Sequence, residues 1–166
     1  MSAGPDRSSP LSIGGEVDRP VSLGRADLAA LVDGELVADF HCREGWSRLG
    51  VHWRGVRLAT LLSLAGVRDA GRYVTIASGG YTVVLAREQA EDERLLLALE
   101  RDGQALDPED GVPRLIGPSD WDCYLSIKSV ERIEVTSEAA DATAARIALA
   151  RLEPQRSAAT DAPRGP

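Results

Sequence analysis

Residues 73–86 read YVTIAS-GG-YTVVLA: two six-residue runs rich in β-branched and aromatic side chains, joined by a glycine pair. Both runs favour a pleated strand. A two-residue glycine linker suits the tight turn whose twist matches that of the paired strands. The segment therefore predicts an antiparallel hairpin. A hairpin alone is marginal in water, so it commits the chain to a larger sheet with one face buried.

The same punctuation recurs on both sides. LSIGGEV and RPVSL predict a strand, a glycine turn and a second strand, and RLLLALERDGQAL predicts a strand, an Asp-Gly turn and a short return. PEDGVPRLIGP reads as coil braced by proline and glycine around a short strand, and LSIKSVERIEV as a final strand carrying Lys128. Helical signals are few. GRADLAALVDG predicts a short helix with Leu28, Leu31 and Val32 on one face and Gly34 as its left-handed stop. VRLATLLSLAGV predicts the clearest helix, closed by Gly66 with Val67 after it. REQAEDE reads as a polar helical turn. The expected fold class is mixed α+β, dominated by strands.

These elements fill residues 11–136. Residues 1–10 are polar and expected to be a disordered lead. Residues 137–166 form an alanine-rich tail, expected to be helical to about Leu152 and otherwise disordered. The sequence shows no internal repeat. The net charge of −7 argues against nucleic acid as a partner. No apolar run reaches the ~20 residues of a membrane span. The opening MSAGPDRSSP has no apolar signal core, so a cytoplasmic location is expected.

Chemistry-bearing residues concentrate in DFHCREGWSRLGVHWRGVRL, residues 39–58. This stretch holds Cys42, both histidines, two of the three tryptophans and Arg43, Arg48, Arg54 and Arg57. ELVADFHC alternates, predicting a strand with Leu36, Ala38, Phe40 and Cys42 on its inner face. REGWSRLGVHWRG is expected to be a glycine-punctuated loop. Residue types alone leave several readings open. Cys42 can be a small buried hydrophobe. His41, Cys42, His52 and Cys123 are zinc-ligand types, but adjacent His41 and Cys42 point to opposite strand faces and the spacing matches no zinc module. A Cys–His nucleophile pair needs Cys42 and His52 within hydrogen-bond reach. The arginines suit an anionic ligand. Lys128 stands out as the only lysine of a chain that writes every other basic side chain as arginine.

HCREGWSRLGVHWRGVRLATLLSLAG resembles the cysteine-bearing segment of the sulfite-oxidase family of molybdenum enzymes, which includes the catalytic subunit of methionine-sulfoxide reductase. The shared pattern is Cys42, then Glu44 to Ser47, Trp53 to Val56, and a leucine-rich helix ending at Gly66. IASGGYTVVL is similar to the family's Asp-Gly-Tyr hairpin, LLLALERDGQAL to its strand and turn, GVPRLIGP to its Gly-x-Pro-x-Arg-Leu segment, and SIKSVERIEV to its closing lysine strand. The likeness spans about residues 13–135. Three positions depart from the pattern: Pro113 and Arg114 are adjacent, Asp110 replaces Asn or His, and Gly79 replaces the hairpin's Asp.

The resemblance implies a sulfite-oxidase-type molybdopterin-binding fold and a molybdenum–molybdopterin cofactor. It makes Cys42 the metal ligand. It implies that His41, Arg43, Arg114, Ser126, Ile127 and Lys128 contact the cofactor, with Arg114 at the pterin's phosphate end and Lys128 partly shielded beside it. Arg48 and Tyr81 are the further catalytic candidates. The implied reaction is two-electron oxygen-atom transfer on a small anionic or sulfoxide substrate. Electrons pass through a separate protein, since the chain has no haem or flavin motif, and an oligomer is possible. The alternative is a relative that binds the cofactor weakly or not at all and serves as an interaction module.

Overall fold

A computed structural model describes residues 10–41, 47–121 and 125–143, with only the backbone of Phe40 and His41. Two five-stranded sheets organise the described chain. The first has the order β2-β1-β10-β5-β6, from β1 (Leu11–Gly15), β2 (Val21–Leu23), β5 (Tyr73–Ser78), β6 (Tyr81–Ala86) and β10 (Arg132–Thr136). β1 and β10 run parallel; the other pairs are antiparallel. The second sheet has the order β3-β4-β7-β8, from β3 (Gly34–His41), β4 (Ser47–Arg57), β7 (Leu96–Arg101) and β8 (Gln104–Ala105), and β9 (Arg114–Ile116) also pairs with β7.

Among the described residues, three short α-helices join them: α1 (Arg25–Ala30), α2 (Leu58–Ala65) and α3 (Arg87–Ala90). Leu58, Leu61, Leu62 and Ala65 put the buried face of α2 into the main core. Ile13, Val74, Ile76, Ile133 and Val135 of the first sheet meet it there, with Val56, Leu97 and Leu115 from the second. A smaller core of Val51, Trp53, Leu96, Ala98, Leu106 and Ile116 lies on the other side of the second sheet. The mixed α+β, strand-dominated class follows directly, and all three expected strand–turn–strand units pair antiparallel, as β1–β2, β5–β6 and β7–β8. Gly79 and Gly80 turn β5 into β6, and Asp102 (φ 49°) with Gly103 (φ 79°) turns β7 into β8. Gly66 (φ 72°) closes α2 as expected.

Three local expectations fail for identifiable reasons. Gly34 is the first residue of β3 rather than a helix stop; α1 has already ended, with the Leu31 N–H bonded to Asp27 and Leu28. What Gly34 provides is clearance, since a Cβ there would lie 2.6 Å from a Leu96 methyl. The expected loop after Cys42 is mostly the eleven-residue strand β4. Gly55 does not break it. β7 passes so close that a Cβ at Gly55 would meet the Leu97 carbonyl oxygen at 2.1 Å. Gly50 (φ 60°) sits at an irregularity where the β3–β4 register shifts between Ala38 and Phe40. Finally, the closing strand begins at Arg132. Residues 126–129 are an irregular turn with Ser129 at φ 53°, so Lys128 is not on a strand.

Candidate cofactor site

The best-defined cluster of expected site residues forms where residues 126–130 run beside β9. The Leu115 N–H donates to the Ile127 carbonyl at 3.0 Å, and the Val130 N–H to the Pro113 carbonyl at 3.0 Å. These two bonds fix the turn against the strand. Ser126 and Ile127 are 5% exposed and anchor it from below. Arg114 Nε donates to the Ser126 carbonyl at 3.4 Å, and its guanidinium carbon lies 6.0 Å from the centre of the Trp53 ring. That separation is at the outer limit of cation–π attraction. Contact with Trp53 and the Ser126 carbonyl restricts the guanidinium's orientation.

Lys128 projects from the same turn. Its Nζ donates to the Glu109 carbonyl at 3.4 Å. The side chain is exposed, not partly shielded as expected, because the irregular turn carries it outward while Ser126 and Ile127 point in. Gly111 (φ 76°) packs directly beneath it. Asp110 is gripped by Arg101 through two hydrogen bonds of 3.2 Å. Burial pushes the Asp110 carboxyl up, but the Arg101 hydrogen bonds and charge, the Asp107 backbone and the charge of Arg114 outweigh it. The net effect holds the group below the usual carboxylate range.

The other candidates lie elsewhere. The paired ends of β3 and β4 put His41 opposite Ser47 and Phe40 opposite Arg48, with Arg48 exposed. A carboxylate and a hydroxyl brace this end: the Gly50 N–H donates to Asp39 Oδ1 at 2.8 Å, and the Asp39 N–H to Ser119 Oγ at 3.0 Å. Cys42 and Arg43 follow His41 directly and lie outside the described residues, as does Cys123. Tyr81 opens β6 in the first sheet, opposite Ser78, and packs partly buried against the main core. His52 is on β4 with Nε2 3.5 Å from Glu35, an exposed ion-pair position. Among the described residues, no three His, Cys, Asp or Glu side chains gather as a metal-ligand group.

Sequence reasoning missed several contributors. Trp53 was noted only as part of a motif, yet it flanks Arg114. Ser119 and Asp39 join segments 80 residues apart, and Arg101 meets Asp110 across the β7–β8 turn. Only the last had a local signal, an Arg followed nine positions later by an Asp across a predicted hairpin.

The chain matches the family model for the oxidoreductase molybdopterin binding domain over residues 5–144. It is 38% identical over 104 residues to the uncharacterized oxidoreductase YuiH of Bacillus subtilis strain 168, covering 62% of this chain and 52% of that protein. It is 28% identical over 147 residues to the protein-methionine-sulfoxide reductase catalytic subunit MsrP of Campylobacter jejuni, covering 77% of this chain and 49% of that one. Its fold matches the crystal structure of the sulfane dehydrogenase SoxCD from Paracoccus pantotrophus with a TM-score of 0.71 at 24% identity, over 81% of this chain and 40% of that one. The chain thus spans about half the length of the curated relatives it matches. It belongs to the oxidoreductase molybdopterin-binding domain family, related to proteins of the sulfite oxidase and MsrP type.

Proposed function

We propose that this chain is a molybdenum-cofactor-dependent oxidoreductase domain. It transfers an oxygen atom, with two electrons, to or from a small substrate such as sulfite or a sulfoxide, and exchanges electrons with a separate carrier protein. The observation that carries this reading is the placement of Arg114 and Lys128 on adjoining segments, tied together through Ser126 and Ile127.

The donor set fits an anionic pterin. Arg114 offers a planar fork suited to a phosphate, and Lys128 a compact point charge. The nearby carboxylate, Asp110, is engaged by Arg101. In this reading Arg114, Lys128 and the Ser126–Ile127 backbone hold the pterin end, with His41 and Arg43 contributing from the β3–β4 end. Cys42 ligates the metal, and its thiol must give up its proton to do so. When bound, the cofactor supplies two-electron redox chemistry at molybdenum. Arg48 attracts an anionic substrate toward the β3–β4 end. Tyr81 enters as a catalytic candidate from the motif alone.

One observation favours the alternative of a cofactor-free interaction module: Asp110 brings a carboxylate into a site meant for an anion. Metal analysis of protein made in a host that synthesises the cofactor decides between them. Stoichiometric molybdenum with dye-coupled turnover supports the oxidoreductase; folded protein lacking molybdenum from such a host supports the module.

A further inference from the structure

The first sheet has an outer face, turned away from the main core, and β5 is buried on that face as well. Val74 and Ile76 point into the core, so Thr75 and Ala77 point outward. They are nevertheless only 5% and 4% exposed. Their registered neighbours on that face are Arg132 and Glu134 on β10, whose side chains are about half exposed, and Thr82 and Val84 on β6, which are only partly buried. Gly14 and Ser12, one strand further out on β1, are small. Flanking side chains that are themselves partly open to solvent do not account for the near-complete burial of the two residues between them. The Thr75 hydroxyl has no hydrogen-bond partner among the described residues, so whatever covers it also keeps water away.

The chain is tied down at the edge of this face. The Thr82 N–H donates to Thr143 Oγ1 at 2.9 Å, the Thr143 N–H to Thr82 Oγ1 at 3.0 Å, and Thr143 Oγ1 to the Gly80 carbonyl at 2.7 Å. Thr143 is already helical, and residues 137–142, which lead to it from β10, are exposed. The sequence then runs AARIALARL, residues 144–152, before Glu153 and Pro154. Continued as a helix, this run puts Ala145, Ala148, Leu149 and Leu152 on one stripe at i, i+3, i+4, i+7 spacing, with Arg146 and Arg151 off it. The two alanines permit the close approach that a face of Gly, Ser, Thr and Ala requires.

We propose that residues 144–152 dock as an amphipathic helix across the outer face of the first sheet, with Ala145, Ala148, Leu149 and Leu152 over Thr75 and Ala77. The reach agrees. Nine residues of helix extend about 13 Å at 1.5 Å each. Strands lie about 4.8 Å apart, so a helix starting at β6 crosses β5 and reaches β10. Beyond β10 the face carries a shallow groove of about 400 Å³, lined by Ser12, Gly14, Ser22, Arg132 and Glu134 among others, where such a helix no longer covers the sheet.

The test is thiol labelling of Ala77→Cys, mapped by peptide mass spectrometry so that Cys42 and Cys123 do not interfere. Three forms are compared: the full chain, a chain ending at Leu152 and a chain ending at Thr143. Val83→Cys, on the core face, reports whether each form is folded. The first two forms are expected to label at position 77 at least about tenfold more slowly than the third. Equal protection in the form ending at Thr143, or fast labelling in the full chain, overturns the docking. If the form ending at Thr143 also labels at position 83, and so is unfolded, Leu149→Asp in the full chain decides. Faster labelling at 77 with slow labelling at 83 supports the helix, and unchanged labelling at 77 overturns it.

Discussion

Gly111 and Lys128 touch so closely that a Cβ built on the glycine would lie 2.2 Å from the Cβ of the lysine and 2.9 Å from its Cα. The contact places the carbonyl of Glu109 within 3.4 Å of the lysine Nζ. Two independent requirements therefore fix a glycine here, the missing side chain and the φ of 76°.

Gly111→Ala is accordingly predicted to push the turn at 126–129 away from the segment at 109–111. Stability should fall by about 1–3 kcal/mol, the range for strained backbone. Cofactor occupancy should fall more than the loss of fold explains, because the displaced residue is Lys128. Denaturant titration and bound-molybdenum analysis of the same preparations measure both. An alanine variant with full stability and full occupancy removes the packing argument.

A second prediction concerns α2. The helix has no side-chain cap of its own, since Arg57 stands at its N-cap. Asp33, from the turn before β3, serves instead. Its Oδ1 accepts the Arg57 N–H at 2.9 Å, and its Oδ2 accepts the hydroxyl of Thr60. Asp33→Ala should cost about 1–2 kcal/mol, as for the loss of a helix cap. Asp33→Asn should cost less, because the amide oxygen can keep one acceptor. Thermal melts with the two variants side by side provide the check.

The Arg101–Asp110 pair carries a pH dependence. The folded pKa of Asp110 is lowered, so it is deprotonated over a wider range folded than unfolded. Such a group adds stability that is fully present above the unfolded carboxylate value of about 4 and is lost as pH falls through the folded value. Asp110→Asn should leave a shallower acid limb below about pH 4 while changing little of the slope above pH 6. An unchanged acid limb means the pair contributes nothing to folding.

How far the sequence could be read depended on the range of the interaction. The hairpins at 79–80 and 102–103 and the glycine stop of α2 were legible, since each is set by residues within a few positions. Gly34, Gly50 and Gly55 read as breakers, yet Leu96 and Leu97 of the neighbouring β7 account for Gly34 and Gly55, and the positive φ at the β3–β4 irregularity accounts for Gly50. Asp33 as the cap of α2 and Ser119 bracing Asp39 join positions 24 to 80 residues apart, which no local pattern encodes. At the site, Arg114, Ser126, Ile127 and Lys128 were named from the motif and do come together. The segment through Lys128 is a turn rather than the expected strand, because bonds from Leu115 and Val130 bend it.

The remaining prediction concerns Cys42, proposed as the metal ligand. A ligating sulfur is a thiolate, so Cys42 should resist alkylation in loaded protein and become reactive once the cofactor is removed, while Cys123 follows only its own accessibility. Cys42→Ser keeps the side chain's size nearly constant but exchanges a soft, readily ionised sulfur for a hard hydroxyl that ionises poorly. The packing cost should be small, about 1–2 kcal/mol. Redox turnover should fall at least a hundredfold if the sulfur holds the metal, the scale of losing one essential site group. If Cys42 merely fills space, the same substitution costs similar stability and leaves molybdenum content and turnover as they were. Wild type and Cys42→Ser should therefore be compared for unfolding free energy, bound molybdenum and dye-coupled turnover. Undiminished turnover in the serine variant removes Cys42 from the metal and requires other groups to hold the redox centre.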